Sequence, residues 1–461
     1  MNIEQSLTFA KHNYDRFLDE LISFIAIESV SSDPERGQEV RKAAQWLSDK
    51  LLFLGLEHVV TFDTPLHPVV YAEKIFDKEA PTILIYGHYD VQPESPVELW
   101  HTPPFEATVV GQHLVGRGAT DMKGQIIAGL AAVEALLSAN DQLPFNLKFI
   151  YEGEEEIGSP SIRAFLEEHK DLLAADVVLN LDAGMLNATT PSITYALRGL
   201  AYFEILVNGP AQDLHSGIFG GVVDNPAFVL SQLIAGMKDD QRRITLPGFY
   251  EDVRTLSGTE REELARIPQT VDTYLSQTGV PQLAGEHGYS CIEQNTARPT
   301  LDVHGLLSGF TGEGAKTVIP AWAKAKISMR IVPDQDPEKV AEQLKQYLLK
   351  NSPSTVSWEL KTFTGGSPAF ADPNQPASKA LQEAFEVTWG NRPVMKREGA
   401  SIPIVTEMKE ILGIDSVLSG FALPEDNMHA PNETLNFEVW RKGILTIIHF
   451  FDQFNHQMAG A

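Results

Sequence analysis

Three short apolar runs, residues 82–86, 147–151 and 177–181, each give way to polar residues able to hold a metal ion or a proton. Runs of this length, rich in Ile, Leu, Val and aromatic residues, read as buried strands. The first leads into Gly87-His88-Tyr89-Asp90, the second into Glu152-Gly153-Glu154-Glu155-Glu156, and the third into Asp182. Between the first two lies Lys123–Ala139, Ala-rich and without Pro, which reads as a helix. An earlier helical segment at 40–54 stops at Gly55, a C-terminal helix signal. Strands separated by helices argue for an α/β sheet with helices on both faces. In such sheets, ligands gather beyond the carboxyl ends of the strands.

Near Arg198 the pattern changes. Residues 202–207 alternate in polarity, as a strand with one exposed face does. A helix at 226–237 follows, then strands at 300–304 and 323–332, a helix at 337–349 and a strand at 355–360. The order strand-helix-strand-strand-helix-strand is ferredoxin-like. The polar stretch 238–296 is expected to hold one short helix near 258–266, and helix and strand patterns resume from about Pro376. The organisation expected is a catalytic domain in two parts, 1–197 and 369–461, with an α+β domain, 198–368, inserted between them.

A chain of 461 residues is too long for one ordinary core, which agrees with two domains. The formal net charge of −26 repels phosphate backbones, so nucleic acid is not an expected partner. No apolar stretch approaches the ~20 residues of a membrane helix. The first 19 residues lack the basic and apolar regions of a signal peptide. A single cysteine, Cys291, excludes an intrachain disulfide and a cysteine-rich zinc site, which fits a cytoplasmic setting.

Each chemical motif is weak alone. His88 could be a histidine satisfied at a strand end, with Asp90 placed to orient a ligating imidazole. Asp121, in Gly116-Arg-Gly-Ala-Thr-Asp121-Met-Lys-Gly124, precedes a helix, where carboxylates are favoured anyway. The run Glu154-Glu155-Glu156 needs a cation or full solvation to relieve its repulsion. Asp182 alone is a turn residue, and His429, in Asp426-Asn-Met-His429-Ala-Pro-Asn-Glu433, carries little by itself. Together, two histidines and three carboxylates suit Zn²⁺, Mn²⁺ or Co²⁺. They are enough for a two-metal site that activates water and polarises a carbonyl.

These motifs resemble those of the M20 metallopeptidases, and within them the cytosolic nonspecific dipeptidase and carnosinase branch. The resemblance spans nearly the whole chain. It adds Asp213-Leu-His215-Ser-Gly217, Gly312-Glu-Gly-Ala-Lys-Thr317-Val-Ile-Pro320 and Arg397-Glu-Gly-Ala-Ser401-Ile-Pro403 to the motifs above. It implies that Asp121 bridges two metals, zinc first and manganese or cobalt as alternatives. His88 and Asp182 would complete one metal, and Glu156 and His429 the other. Glu155 would be the general base and acid, Asp90 would orient His88, and Glu154 would fall on a variable position. A cis peptide is implied at Asp121-Met122. The inserted domain would be a lid through which two copies form a homodimer. His215 would act in the neighbouring copy's site, and Thr317 would sit beside the substrate. Arg330 and Ser401 would bind the substrate carboxylate, a match for bidentate guanidinium.

Two residues depart from that branch: Ala400 replaces a glycine of the carboxylate-binding loop, and Thr364 replaces a histidine before Gly365-Gly366. Both bear on substrate range. The expected activity is hydrolysis of dipeptides. The alternatives are deacylation of N-acetyl or N-succinyl amino acids and a non-catalytic binding role on the same scaffold. Retention of Glu155 and all five ligands argues against the last.

Overall fold

The computed structural model describes residues 1–363 and 365–459, so Thr364 lies outside the described residues. The chain divides into two compact units. One comprises Met1–Tyr195, Ala371–Lys396 and Pro403–Ala461, and the other Ala196–Phe370 and Arg397–Ile402.

The first unit is built on a mixed sheet flanked by helices. Four neighbouring strands run parallel: Asn146–Glu152, Thr82–His88, Val177–Asn180 and Ser416–Leu418. The strands Glu57–Phe62 and Val69–Lys74 extend the sheet antiparallel on one side. Each central strand is buried along its length, so its sequence is predominantly apolar rather than alternating; the buried Lys148 is satisfied by the Leu172 and Ala174 carbonyls. The register decides where the chemistry falls. His88 lies opposite Glu152, and Tyr86 opposite Asn180, so residues 88, 152 and 182 leave the sheet at nearly one level.

The helix Lys123–Ala139 is apolar nearly all round and buried over most of its length. It packs against Phe437–Ala459, which in turn packs against Pro376–Trp389. Gly124 is obligatory at its start, because a Cβ there would lie 2.0 Å from the Ala119 carbonyl oxygen. The helix can therefore begin immediately after the loop that carries Asp121. The peptide Asp121-Met122 is cis.

The second unit has a four-stranded antiparallel sheet in the order Thr300–Ser308, Trp322–Ile331, Gly199–Asn208, Ser357–Thr362. That is the strand order of a ferredoxin-like βαββαβ unit. Strand Gly199–Asn208 alternates strictly, burying Ala201, Phe203, Ile205 and Val207 against the helices Pro226–Gly236 and Pro337–Asn351. Both helices start with a side-chain cap followed by Pro: Asn225 accepts from the Ala227 N–H, and Asp336 from those of Glu338 and Lys339.

The polar stretch after residue 238 contains three helices where one was expected: Gly258–Leu264, Val271–Thr278 and Cys291–Thr296. Each opens on a reciprocal capping box, at Ser257/Glu260, Thr270/Thr273 and Ser290/Glu293. Residues Arg397–Ile402 join this unit through side chains remote in sequence. Arg198 Nε donates to the Gly399 carbonyl at 2.9 Å, and Arg397 pairs with Glu260 at 2.5 Å.

Among the described residues, no helix is long and apolar enough to cross a membrane.

Candidate metal centre

The parallel strands deliver their polar ends to one place, and two loops complete it. His88 terminates its strand fully buried, with Nδ1 at 3.1 Å from the Asp90 carbonyl oxygen and 3.5 Å from the Asp90 carboxylate. In the neutral ring those contacts point the Nδ1–H at Asp90, so that Nε2 carries the lone pair. Nε2 is buried without a hydrogen-bond partner among the described residues. It faces Asp121 Oδ1 at 3.3 Å and Asp182 Oδ1 at 3.6 Å.

Asp121 reaches the other way as well. Its Oδ2 is 2.9 Å from His429 Nε2, which lies 3.2 Å from Glu156 Oε2. The result is two triads, His88-Asp121-Asp182 and Asp121-Glu156-His429, whose donor atoms lie within 4.8 Å of one another in each. Asp121 belongs to both. The sequence brought all five residues forward as candidates, and the fold brings all five together.

The donor set fits divalent cations. Asp90, Asp121, Glu155, Glu156 and Asp182 crowd around two imidazoles. Burial opposes a charge on His88, yet Asp182, Asp121 and Asp90 raise its pKa well above the ordinary value. Hydrogen bonds to Asp121 and Glu156 lift His429 to about 10. Burial favours the neutral form of Asp121, but His429 and His88 hold it below the ordinary carboxylate range. Burial pushes Glu155 up to about 9; His88 opposes this, and the charges of Asp182, Glu156 and Asp90 add to it. The crowded carboxylates favour positive charge here, which a divalent cation would supply, and the buried His88 Nε2, without a hydrogen-bond partner among the described residues, faces Asp121 and Asp182.

The acidic run divides into three environments. Glu154 is buried, and its carboxylate accepts from Thr64 Oγ1 at 2.8 Å, His67 N at 2.8 Å and Ser161 N at 3.0 Å. Glu155 and Glu156 lie on a 3₁₀ turn, Glu155–Ile157, whose backbone N–H groups donate to the Asp90 carboxylate at 3.3 and 3.1 Å. Asp90 therefore supports both His88 and the turn. Gln92 Nε2 donates to Glu156 Oε2 at 2.8 Å, leaving Oε1 for other partners. Gln92, two residues beyond the Gly87-His88-Tyr89-Asp90 motif, was given no task by sequence reasoning.

Four expected site residues belong to the second unit. His215 is exposed, and its Nδ1 accepts the Gly217 N–H at 3.0 Å. The proton of the neutral ring is then on Nε2, free to donate. Thr317 is exposed and brought near it by strand pairing, its carbonyl accepting from the Ser216 N–H at 3.2 Å. Arg330 is half-buried, with its guanidinium 3.4 Å from Ser401 Oγ.

The sequence profile of Peptidase family M20/M25/M40 matches residues 84–453. The Cys-Gly metallodipeptidase DUG1 of Candida albicans is 33% identical over 460 residues, covering 95% of this chain and 94% of the relative. The Beta-Ala-His dipeptidase of Homo sapiens is 31% identical over 467 residues, covering 97% and 92%. Among solved structures, an M20 family metallo-carboxypeptidase, Sso-CP2 from Sulfolobus solfataricus, superposes with a TM-score of 0.79 at 33% identity, over 95% of this chain and 99% of that one. A profile that runs through both triads, and relatives matched over more than 90% of their length, lead to one conclusion: this chain is a member of peptidase family M20/M25/M40.

Proposed function

We propose that this protein is a two-metal dipeptidase, with zinc as the metal and manganese or cobalt as alternatives. The observation that carries the reading is the pair of triads sharing Asp121. The full-length relatives named as dipeptidases supply the substrate class.

In this reading His88, Asp121 and Asp182 would hold one ion, and Asp121, Glu156 and His429 would hold the other. The ions, when bound, supply Lewis acidity that lowers the pKa of water and polarises a carbonyl. Glu155 takes a proton from the attacking water and passes it to the leaving amine as the C–N bond breaks. Asp90 holds His88 and the Glu155–Ile157 turn in place. His215 donates its Nε2 proton in a hydrogen bond to the carbonyl oxygen as charge develops there. Its exposure and tautomer suit that task, and it acts on the other copy of a homodimer formed through the second unit. Arg330 and Ser401 take the free carboxylate of the peptide, and Thr317 contacts the substrate. No covalent enzyme intermediate is required. A cytoplasmic location belongs to the same reading.

A second reading is removal of a C-terminal residue from longer peptides, favoured by the 33% identical carboxypeptidase structure. The deciding experiment is turnover on free dipeptides, tripeptides, N-blocked dipeptides and N-acetyl or N-succinyl amino acids, with Zn²⁺, Mn²⁺ or Co²⁺ added. Hydrolysis confined to free dipeptides supports the proposal. Equal cleavage of N-blocked dipeptides replaces it with the carboxypeptidase reading, and preference for acylated amino acids with a deacylase.

A further inference from the structure

We propose that Glu433 is the positioning residue that holds Asp121 ready for both cations. The inference rests on the two-metal reading above.

Glu433 is fully buried and lies four residues after His429 on the same loop. Its Oε2 accepts the Gly118 N–H at 2.9 Å, and its Oε1 accepts those of Thr120 at 2.9 Å and Asp121 at 3.0 Å. Arg117, itself buried, donates to Oε2 at 2.9 Å. The main chain repeats the link, Gly116 N donating to the Glu433 carbonyl at 3.0 Å. Asp426, at the other end of the loop, accepts from Thr120 Oγ1 at 3.1 Å.

A buried carboxylate is costly unless paired and fully hydrogen-bonded. Here one carboxylate satisfies three backbone donors of the 118–121 loop and a guanidinium at once. The last of those donors is the backbone N–H of the residue shared by both triads. Glu433 thus anchors the Asp121 main chain to the loop that presents His429, whose φ of +60° is itself an unusual conformation held by its surroundings. The spacing of Asp121 Oδ2 and His429 Nε2 is set by this clamp rather than by the ions. Outer-shell partners of this kind typically govern metal affinity by 10–100-fold. Because Asp121 serves both triads, disturbing Glu433 weakens both ions together, whereas loss of Glu156 or Asp182 weakens one.

The test uses the full-length metal-free protein titrated with Co²⁺, followed by calorimetry and by the d–d absorption of the bound ion. Glu433→Gln keeps the shape but leaves one acceptor oxygen and turns an amide NH₂ toward a neighbouring donor. Both Co²⁺ equivalents should weaken by about 10–100-fold, with an altered absorption band and native circular dichroism. Phe451→Ala, a core change that lowers stability without touching the site, should leave Co²⁺ affinity at the wild-type value. A folded Glu433→Gln protein that binds both ions like wild type, or loses only as much as Phe451→Ala, overturns the proposal. If Glu433→Gln does not fold, Glu433→Asp decides by the same titration. It keeps the charge beside Arg117 but is too short to reach all three N–H groups, so wild-type affinity overturns the proposal as well. Wild-type protein that binds no Co²⁺ overturns the two-metal reading itself, and the positioning role with it.

Discussion

The carboxylate of Glu154 accepts the backbone N–H of His67 at 2.8 Å, tying the acidic run to a loop 87 residues earlier in the chain. With the Thr64 hydroxyl and the Ser161 N–H, this makes Glu154 a structural anchor, not the dispensable member of the run. Glu154→Gln leaves part of this cluster unpaired. It should reduce unfolding free energy by about 1–3 kcal/mol, measured by urea denaturation of the metal-free protein. Unchanged stability would show that the cluster tolerates an amide.

Glu155 and Glu156 should separate cleanly. Glu155→Gln should retain both metals and native stability while losing turnover by several orders of magnitude, since the proton carrier is gone. Glu156→Gln should lose affinity at one metal, the one completed by His429. Elemental analysis and turnover on the same preparations provide the check. Full activity in Glu155→Gln would remove it from the mechanism.

Chelation should abolish activity, and active protein should contain about two divalent ions per chain, as two-metal hydrolases do. The measurement is elemental analysis paired with turnover before and after stripping. Undiminished turnover in verified metal-free protein would refute the two-metal reading.

If His215 acts across a homodimer, Glu155→Gln and His215→Ala should each be nearly inactive alone. The randomly mixed population should recover roughly a quarter of wild-type activity, because about half the dimers are mixed and each of those has one intact site in two. Co-expression with differently tagged chains confirms that mixed dimers form. Confirmed mixed dimers without activity would mean that His215 does not act in trans.

Glu407 should make stability pH-dependent. Burial raises its pKa from 4.5 to about 7; Arg163 opposes that shift, and Glu410 and Glu167 add to it. Its Oε2 is buried without a hydrogen-bond partner among the described residues. The folded-state pKa lies above the unfolded one, and for an acid this favours the neutral form in the native state. Its stabilising contribution is complete below about 4.5, declines as pH rises toward about 7, and is absent above. Glu407→Gln should therefore gain stability relative to wild type as pH rises from 4.5 to 7. Parallel pH–stability curves for the two proteins would contradict this.

Much of the fold was written in local pattern. Lys123–Ala139 was read at its observed limits because its apolar character is unbroken, and strand Thr82–His88 was visible for the same reason. The helix Cys291–Thr296 was missed although Ser290 and Glu293 spell a capping box, because a six-residue helix has too little periodicity to stand out from a polar loop.

The candidate ligand residues were legible because a parallel sheet exports chemistry at its carboxyl edge: His88 ends one apolar run, and Asp182 follows another. Sequence alone thus determined the strand-helix alternation, the candidate ligand residue types and their order along the chain. Tertiary structure decided which carboxylate does what. Glu154, Glu155 and Glu156 are chemically alike and adjacent, yet one turns inward to His67 while the turn bearing the other two is held on Asp90. Glu433 looks like any loop glutamate until folding brings it to N–H groups more than 300 positions earlier. A hydrogen bond that closes so long a loop leaves no trace in local composition, because its energy depends on burial and on partners that only the packed chain supplies.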